Sequence, residues 1–142
     1  MTRALIAVTG VDYWTLADGS KHPCGYWPEE LSTPYRVFVE AGIDAVIATP
    51  GGVVPTPDPV GFTPEMNGGS AEEGERLKVH LESIEALRAP AVLEDVDVEE
   101  FHFVFVPGGW GSDGRPCRLG LVRHAPARVH RRRQAGGRGV PR

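Results

Sequence analysis

Three short apolar runs limit what this chain can fold into. The first is Leu5 to Val8, the second is Ala45 to Thr49, and the third is Phe101 to Val106, which is apolar apart from His102. Continuous apolar runs of this length are typical of strands that are buried on both faces of a parallel sheet. They predict buried strands over residues 2–9, 45–49 and 101–106.

Helical spacing separates these predicted strands. Apolar residues recur at this spacing over residues 31–42, with Pro28 near a helix start and Gly42 suited to the helix end. Residues 50–69 are rich in Pro and Gly and predict a long loop. Residues 71–88 predict a second helix, whose apolar stripe is Leu77, Leu81, Ile84 and Leu87. The alternation predicts an α/β fold, a flavodoxin-like (Rossmann-like) doubly wound parallel sheet.

The predicted topology indicates where a ligand site should lie. Open parallel sheets bind ligands at the carboxyl ends of their strands, so the loops after Val8, Thr49 and Val106 are the candidates. Gly108 and Gly109 follow the third strand. Because they have no Cβ, their backbone N–H groups can approach a ligand oxygen closely, as an oxyanion hole requires; an ordinary strand-ending turn is the alternative.

Charge divides the chain in two. Residues 1–114 carry six Lys and Arg and all nineteen Asp and Glu, a formal charge of −13, whereas the nine Arg after them give +9. Three hypotheses explain this Arg-rich tail: a solvated disordered extension, a nucleic-acid-binding patch, or a shifted reading frame of GC-rich codons. We favour the third, which sequencing the gene beyond Gly111 and translating the other frames would test. Without stacking aromatic residues, nucleic acid is not the expected partner.

The remaining composition indicates an unanchored protein with reduced thiols. The amino-terminal apolar run is too short for a signal sequence or a membrane span, so a cytoplasmic location is expected. Cys24 and Cys117 are too few for a disulfide framework or a Cys-rich zinc site.

One segment of the chain resembles a known family. Residues 18–31, with the sequence DGSKHPCGYWPEEL, and the following Pro34-Tyr35 resemble the first active-site segment of the ThiJ/PfpI superfamily (class I glutamine amidotransferase-like), nearest its glyoxalase III and stress-chaperone branch. The likeness continues through residues 40–42, 48–52 and 58–59 and ends with residues 104–111. The prediction is therefore a truncated fold: residues 1–111 form the N-terminal part of a ThiJ/PfpI domain, and residues 112–142 form the tail.

The resemblance implies roles for four residues. Glu30 matches a glutamate that lies beside a cysteine nucleophile and hydrogen-bonds its thiolate, the reactive form; a solvated glutamate in the first helical turn is the alternative. Gly108 and Gly109 take the oxyanion role, and Trp110 stands where relatives often have His. His22 is a further candidate for lining the pocket.

The resemblance also implies a reaction. The cysteine attacks the aldehyde of a 2-oxoaldehyde such as methylglyoxal and the product is a 2-hydroxy acid, with no glutathione, metal or other cofactor. The family's Cys-His-Gly elbow has no match here: Cys117 lacks a preceding apolar strand, Cys24 is a loop thiol, and His124 and His130 have no motif context. The chain as written is therefore expected to be inactive.

Other functions stay open at this point. Relatives imply repair of glycated amines or amidotransferase-like hydrolysis, both of which need the absent cysteine, or a non-enzymatic stress chaperone that binds unfolded chains. A homodimer is also expected from the resemblance. An exposed sheet edge and apolar surface are expected to make the truncated chain poorly soluble.

Overall fold

A computed structural model describes residues 1–109 of the chain. In chain order, the strands and helices are β1 (Arg3–Ala7), β2 (Tyr13–Thr15), β3 (Lys21–Pro23), α1 (Pro28–Glu40), β4 (Asp44–Thr49), α2 (Ala71–Ser83), α3 (Glu85–Arg88), β5 (Ala91–Val92) and β6 (Phe103–Phe105). Trp110 and the predicted tail, residues 112–142, lie outside the described residues. None of the helices in residues 1–109 is both long and apolar enough to cross a membrane.

Four parallel strands form the central sheet, in the order β5-β4-β1-β6. This arrangement confirms the α/β fold that alternating strands and helices predict. The chain passes from β1 to β4 on one side and later returns to add β6 on the other side of β1. The order of the strands therefore reverses beside β1, and the carboxyl ends of β1 and β6 border the position where such sheets bind ligands.

The two faces of the sheet are covered differently. On one face, Ile6, Val8 and Ile47 pack against side chains from the three helices and their flanking segments, including Tyr26, Leu31, Leu81, Ile84 and Leu87. On the other face, Leu5, Ala7 and Ala48 pack against Leu93, with Val96 and Phe101 at the margin. Within residues 1–109, the second face is thus covered by the connection from β5 to β6, which contains short 3-10 turns and no α-helix.

The helices on the first face are linked by a polar contact as well as by apolar packing. The Ser32 hydroxyl of α1 lies 2.5 Å from His80 Nδ1 of α2, and Ser32 is buried.

Gly42 follows α1 with φ 72°, which is the left-handed conformation that glycine adopts most readily. The start and the end predicted for this helix are therefore both confirmed.

Arg3 connects the amino-terminal ends of three strands. Its guanidinium lies 2.8 Å from Asp44 Oδ2 in β4 and 2.9 Å from Glu100 Oε2, shortly before β6. The hydrogen bond that Arg3 donates to Asp44, and then the one that it donates to Glu100, raises the pKa of Arg3. The Arg3 carbonyl accepts a hydrogen bond from the His102 N–H, and the Arg3 N–H donates one to the His102 ring Nδ1. These contacts fix where β1, β4 and β6 begin relative to one another.

The prediction that the third strand is buried was wrong. The strand is shorter than predicted, and Phe103, Val104 and Val106 are 37%, 50% and 48% exposed. β6 is the edge strand of the described sheet, so β1 is its only partner within residues 1–109. The apolar run therefore identified a strand correctly but did not report how many neighbours cover it.

The predicted helix over residues 71–88 is interrupted. Ile84 is extended, with φ −79° and ψ 101°, and it separates α2 from α3. The Ser83 hydroxyl donates to the His80 carbonyl, and Arg88 donates to the Glu82 carbonyl at the break. The bend keeps Ile84 and Leu87 buried, so the predicted apolar stripe remains in the core although the helix ends early.

Three strands were not predicted, and two of them form a hairpin. β2 and β3 pair antiparallel, with Gly19 at φ 83° in the turn and Asp18 accepting hydrogen bonds from Ser20. β5 contains two residues only. The predicted long loop, residues 50–69, contains three 3-10 turns, each starting at a proline: Pro50–Gly52, Pro59–Phe62 and Pro64–Met66.

Truncation of Leu31 tests the importance of the first face. Leu31 is fully buried in α1, so Leu31→Ala should lower the free energy of unfolding by about 2–5 kcal/mol. Val37 lies in the same helix but is 51% exposed, and Val37→Ala should cost less than about 1 kcal/mol. Urea denaturation followed by circular dichroism measures both; equal losses would contradict the assigned core.

Candidate functional site

One short segment holds together the loops at the carboxyl edge of the sheet. The Tyr26 N–H donates to the Thr56 carbonyl at 3.1 Å, and the Tyr26 carbonyl accepts from the Asp58 N–H at 2.8 Å. On the other side, the Trp27 N–H donates to the Gly108 carbonyl at 2.7 Å. Residues 25–27 therefore lie between the long loop and the segment that follows β6.

Gly25 makes this close approach feasible. A methyl group at its Cα would overlap the carbonyl oxygen of Thr56, a backbone atom that cannot rotate away. Gly25 is also buried. The requirement here is steric, because the Gly25 φ lies outside the positive region.

Helix α1 positions Glu30 at this edge. The helix starts at Pro28, whose missing N–H costs nothing in the first turn, and Glu29 and Glu30 follow in that turn. Carboxylates there interact favourably with the helix dipole. Pro34 lies four residues after Glu30 and has no N–H to donate to the Glu30 carbonyl, so the helix backbone is less constrained beside the site.

The structure brings Glu30 against Gly108. A methyl group built on Gly108 would overlap Glu30 Oε2 and lie 3.1 Å from Glu30 Cδ, so the carboxylate packs directly on the Gly108 backbone. Glu30 itself is exposed. Two of the residues singled out in the sequence, 78 positions apart, are thus neighbours at the carboxyl end of β6.

The Gly108 and Gly109 N–H groups have the freedom that an oxyanion-binding role requires. Within residues 1–109, neither N–H donates a hydrogen bond. A methyl group on Gly109 would lie 2.5 Å from the Gly25 carbonyl oxygen, so this glycine also permits close backbone packing. Trp110, the third residue predicted here, lies outside the described part. The catalytic and oxyanion roles stay predictions.

His22 and Cys24 line a cavity to which Glu30, Gly108 and Gly109 do not contribute. His22 is in β3, with its ring centroid 5.3 Å from that of Trp14, and Cys24 is buried. Both line a space of about 290 Å³ with Trp14, Trp27 and Asp58, and no part of Glu30, Gly108 or Gly109 lines it. His22 and Cys24 therefore share a cavity that the Glu30 side chain does not line.

The loop after β4, another predicted ligand position, is occupied by the chain's own contacts. The Gly51 N–H donates to the Glu94 carboxylate at 2.8 Å, and this bond lowers the pKa of Glu94. The Thr49 hydroxyl donates to the Val53 carbonyl at 2.6 Å. Sequence analysis did not identify Glu94, because it is distant in the chain and carries no motif.

The described residues contain no gathered metal ligands. Across residues 1–109, no group of three or more His, Cys, Asp or Glu side chains lies close enough to hold an ion. Cys117, His124 and His130 fall outside this part of the chain.

Comparison with solved structures establishes the fold. Glyoxalase III from Candida albicans aligns with a TM-score of 0.59 and 22% identity, over 76% of this chain and 44% of that protein. The Rapid Encystment Protein 24 kDa from Francisella tularensis aligns with a TM-score of 0.55 and 22% identity, over 77% and 45%. The protein APC35852 aligns at 0.50 and 29%, over 76% and 42%.

The aligned part of each structure is less than half of that protein. The chain thus shares an α/β fold with these proteins and spans under half of their length. No protein-family model matches the sequence, and no curated protein sequence matches it significantly.

Alanine at the two glycines should have unequal effects. A methyl group added at Gly108 would meet the end of the flexible Glu30 side chain, which can rotate away. Gly108→Ala should therefore lower the free energy of unfolding by less than about 1 kcal/mol. A methyl group added at Gly109 would meet the Gly25 backbone, which cannot move aside. Gly109→Ala should therefore lower the free energy of unfolding by about 1–3 kcal/mol. Urea denaturation compares the two.

A third variant identifies the clash. Adding Glu30→Ala should remove the remaining cost of Gly108→Ala and leave that of Gly109→Ala unchanged. A Gly108→Ala cost that persists without the Glu30 side chain would contradict the packing of Glu30 on Gly108.

Proposed function

We propose that this chain supplies Glu30 and two oxyanion-binding glycines to a ThiJ/PfpI-type site with glyoxalase III activity. The observation that carries the proposal is the packing of the Glu30 carboxylate on Gly108, beside two N–H groups that donate no bond within residues 1–109. The position at the carboxyl ends of β1 and β6, where the strand order reverses, supports it. The fold shared with the Candida albicans glyoxalase III supports the choice of reaction.

The proposed substrate is a small 2-oxoaldehyde such as methylglyoxal. A cysteine thiolate adds to the aldehyde carbon, and the new oxyanion accepts hydrogen bonds from the Gly108 and Gly109 N–H groups. A proton then moves from the former aldehyde carbon to the neighbouring carbon, and water releases the thiol. The net change is the addition of one water molecule, which converts methylglyoxal to lactate without an external oxidant or reductant.

Glu30 is suited to proton handling in this scheme. Its side chain is exposed and lies on the Gly108 backbone, so its protonated carboxyl can donate a hydrogen bond to the thiolate and exchange protons with water. The glycines supply fixed dipoles, which need no reorganisation when charge develops.

We assign no nucleophile among the described residues. Cys24 lies in the cavity beside the hairpin, which Glu30 does not line. We therefore expect the 142-residue chain alone to form no lactate from methylglyoxal.

A chimera with the Candida albicans glyoxalase III tests the proposed role of Glu30. Residues 1–109 would replace the aligned part of that enzyme, so that its own remaining part supplies the rest of the site. The chimera should form lactate without glutathione, and Glu30→Gln should reduce kcat/KM by about 100-fold or more, since amide nitrogen and oxygen cannot exchange a proton as the carboxyl does.

Glu29 provides the matched control. It is exposed in the same helical turn, and Glu29→Gln should change kcat/KM by less than about twofold. A folded chimera that forms no lactate, or equal losses for the two variants, would overturn the proposal.

A holdase function is the second candidate, favoured by one observation. Val104 of the edge strand and Val106, which directly follows the strand, are each about half exposed, and Phe103 of the strand is also exposed. Exposed apolar surface beside an open strand edge can bind unfolded chains. A homodimer is a further expectation, which the described residues do not address, and nucleic acid is not the expected partner of the Arg-rich tail.

Substitution of the edge strand tests the holdase function. Val104→Ser combined with Val106→Ser should reduce suppression of thermal aggregation of a client protein by about twofold or more, because the apolar contact area is lost. Val79→Ser is the control, since Val79 is 62% exposed on α2. Unchanged suppression in the double variant, measured by light scattering, would exclude this surface.

A further inference from the structure

A second cavity lies on the helical face of the sheet. It encloses about 380 Å³ between the segment after β4 and the bend from α2 to α3. This volume lies at the lower end of the range for small-molecule sites, about 300–1,000 Å³. Most of its wall is apolar and comes from Val54, Pro55, Pro57, Phe62, Leu81 and Leu87.

Tyr26 provides a polar group in this apolar wall. Its side chain is only 2% exposed, and no hydrogen bond of its hydroxyl group is made within residues 1–109. Within residues 1–109, the Trp14 Nε1 atom is the only fully buried polar side-chain atom without a hydrogen-bond partner. Because the Tyr26 hydroxyl also has no partner there, its oxygen must keep some accessible surface. The small accessible area of Tyr26 thus includes its hydroxyl oxygen. Tyr26 is one of the residues that line the second cavity.

Burial keeps this hydroxyl in its donor form. Desolvation raises the pKa of Tyr26 well above the value of an exposed tyrosine. At neutral pH the group therefore carries its proton, and it can donate a hydrogen bond to an acceptor atom in the cavity.

The open side of the cavity carries more positive than negative charge. Lys78 and Arg88 are exposed and line it, together with one carboxylate, that of Glu82. Arg88 Nη2 donates to the Glu82 backbone carbonyl at 2.6 Å, which fixes the guanidinium at the helix bend. Within residues 1–109, neither Lys78 nor Arg88 makes an ion pair, in contrast to Arg76 of α2, which pairs with Glu72 and Glu73.

We propose that this cavity binds a small organic carboxylate with an apolar body and a hydrogen-bond acceptor. The carboxylate lies at Lys78 and Arg88, the apolar body fills the space between the prolines and leucines, and the acceptor receives the Tyr26 hydroxyl proton. The charges favour an anion over a cation, and the Tyr26 hydroxyl, which is unpaired within residues 1–109, favours an acceptor over a plain hydrocarbon. This site is separate from Glu30 and independent of the function proposed for it.

Phenylpyruvate is a suitable probe, because it combines a carboxylate, a ketone oxygen and an aromatic ring. Titration of the full 142-residue chain, followed by isothermal calorimetry, should give a Kd of about 1 mM or tighter. Phenylacetone has the same ring and ketone without the carboxylate, and it should bind at least about tenfold more weakly. No heat of binding with phenylpyruvate up to about 10 mM would overturn the proposal.

Variants separate the contributions of charge and hydroxyl. Lys78→Gln combined with Arg88→Gln should weaken phenylpyruvate binding by about tenfold or more, and Tyr26→Phe, which keeps the ring in the core, should weaken it by about threefold to tenfold. Arg76→Gln removes a nearby cation that does not line the cavity and should leave the Kd unchanged.

Two controls make the result specific. Circular dichroism should show the same secondary structure for each variant, so that loss of binding is not loss of folding. Glu30→Gln should leave phenylpyruvate binding unchanged, which distinguishes this site from the proposed catalytic one. Equal Kd values for the original chain and the Lys78 and Arg88 double variant would place the binding elsewhere and overturn the proposal.

Discussion

The backbone hydrogen bonds of Tyr26 and Trp27 are the interaction on which the rest of the described structure depends. They join the segment before α1 to the long loop on one side and to Gly108 on the other. The Tyr26 side chain enters the core at the same point, and the absence of a Cβ at Gly25 permits the contact. Core packing, the start of α1 and the location of Glu30 are therefore set by a single three-residue segment.

The strands were predictable where side-chain apolarity and strand environment agree. β1 and β4 are central strands, so their continuous apolar runs predicted both existence and burial. β6 has the same type of run but only one described neighbour, and apolarity alone does not reveal an edge. The hairpin had a usable signal, since Asp18-Gly19 follows the β-forming residues Tyr13 and Trp14. The residues of β3, however, are exposed and have no apolar alternation that would indicate a strand.

The candidate site was predictable in part because its residues carry motifs. Glu30 and Gly108 were selected separately, and the parallel topology accounts for their meeting at one edge of the sheet. The second cavity had no such signal. It exists because Ile84 interrupts the helix and because Tyr26 points to the helical face, and neither feature follows from apolar periodicity. A bend of this kind depends on tertiary packing, which overrides local propensity.

The contacts of Arg3 align the sheet at the edge opposite the candidate site. Its guanidinium, charged at every physiological pH, holds the amino-terminal ends of β1, β4 and β6 in register through Asp44 and Glu100. At the opposite ends of the strands, the connection is made by the backbone bonds of residues 25–27 instead of by an ion pair. Side chains at the carboxyl edge that take no part in these backbone bonds can therefore change during evolution while the strands keep their alignment.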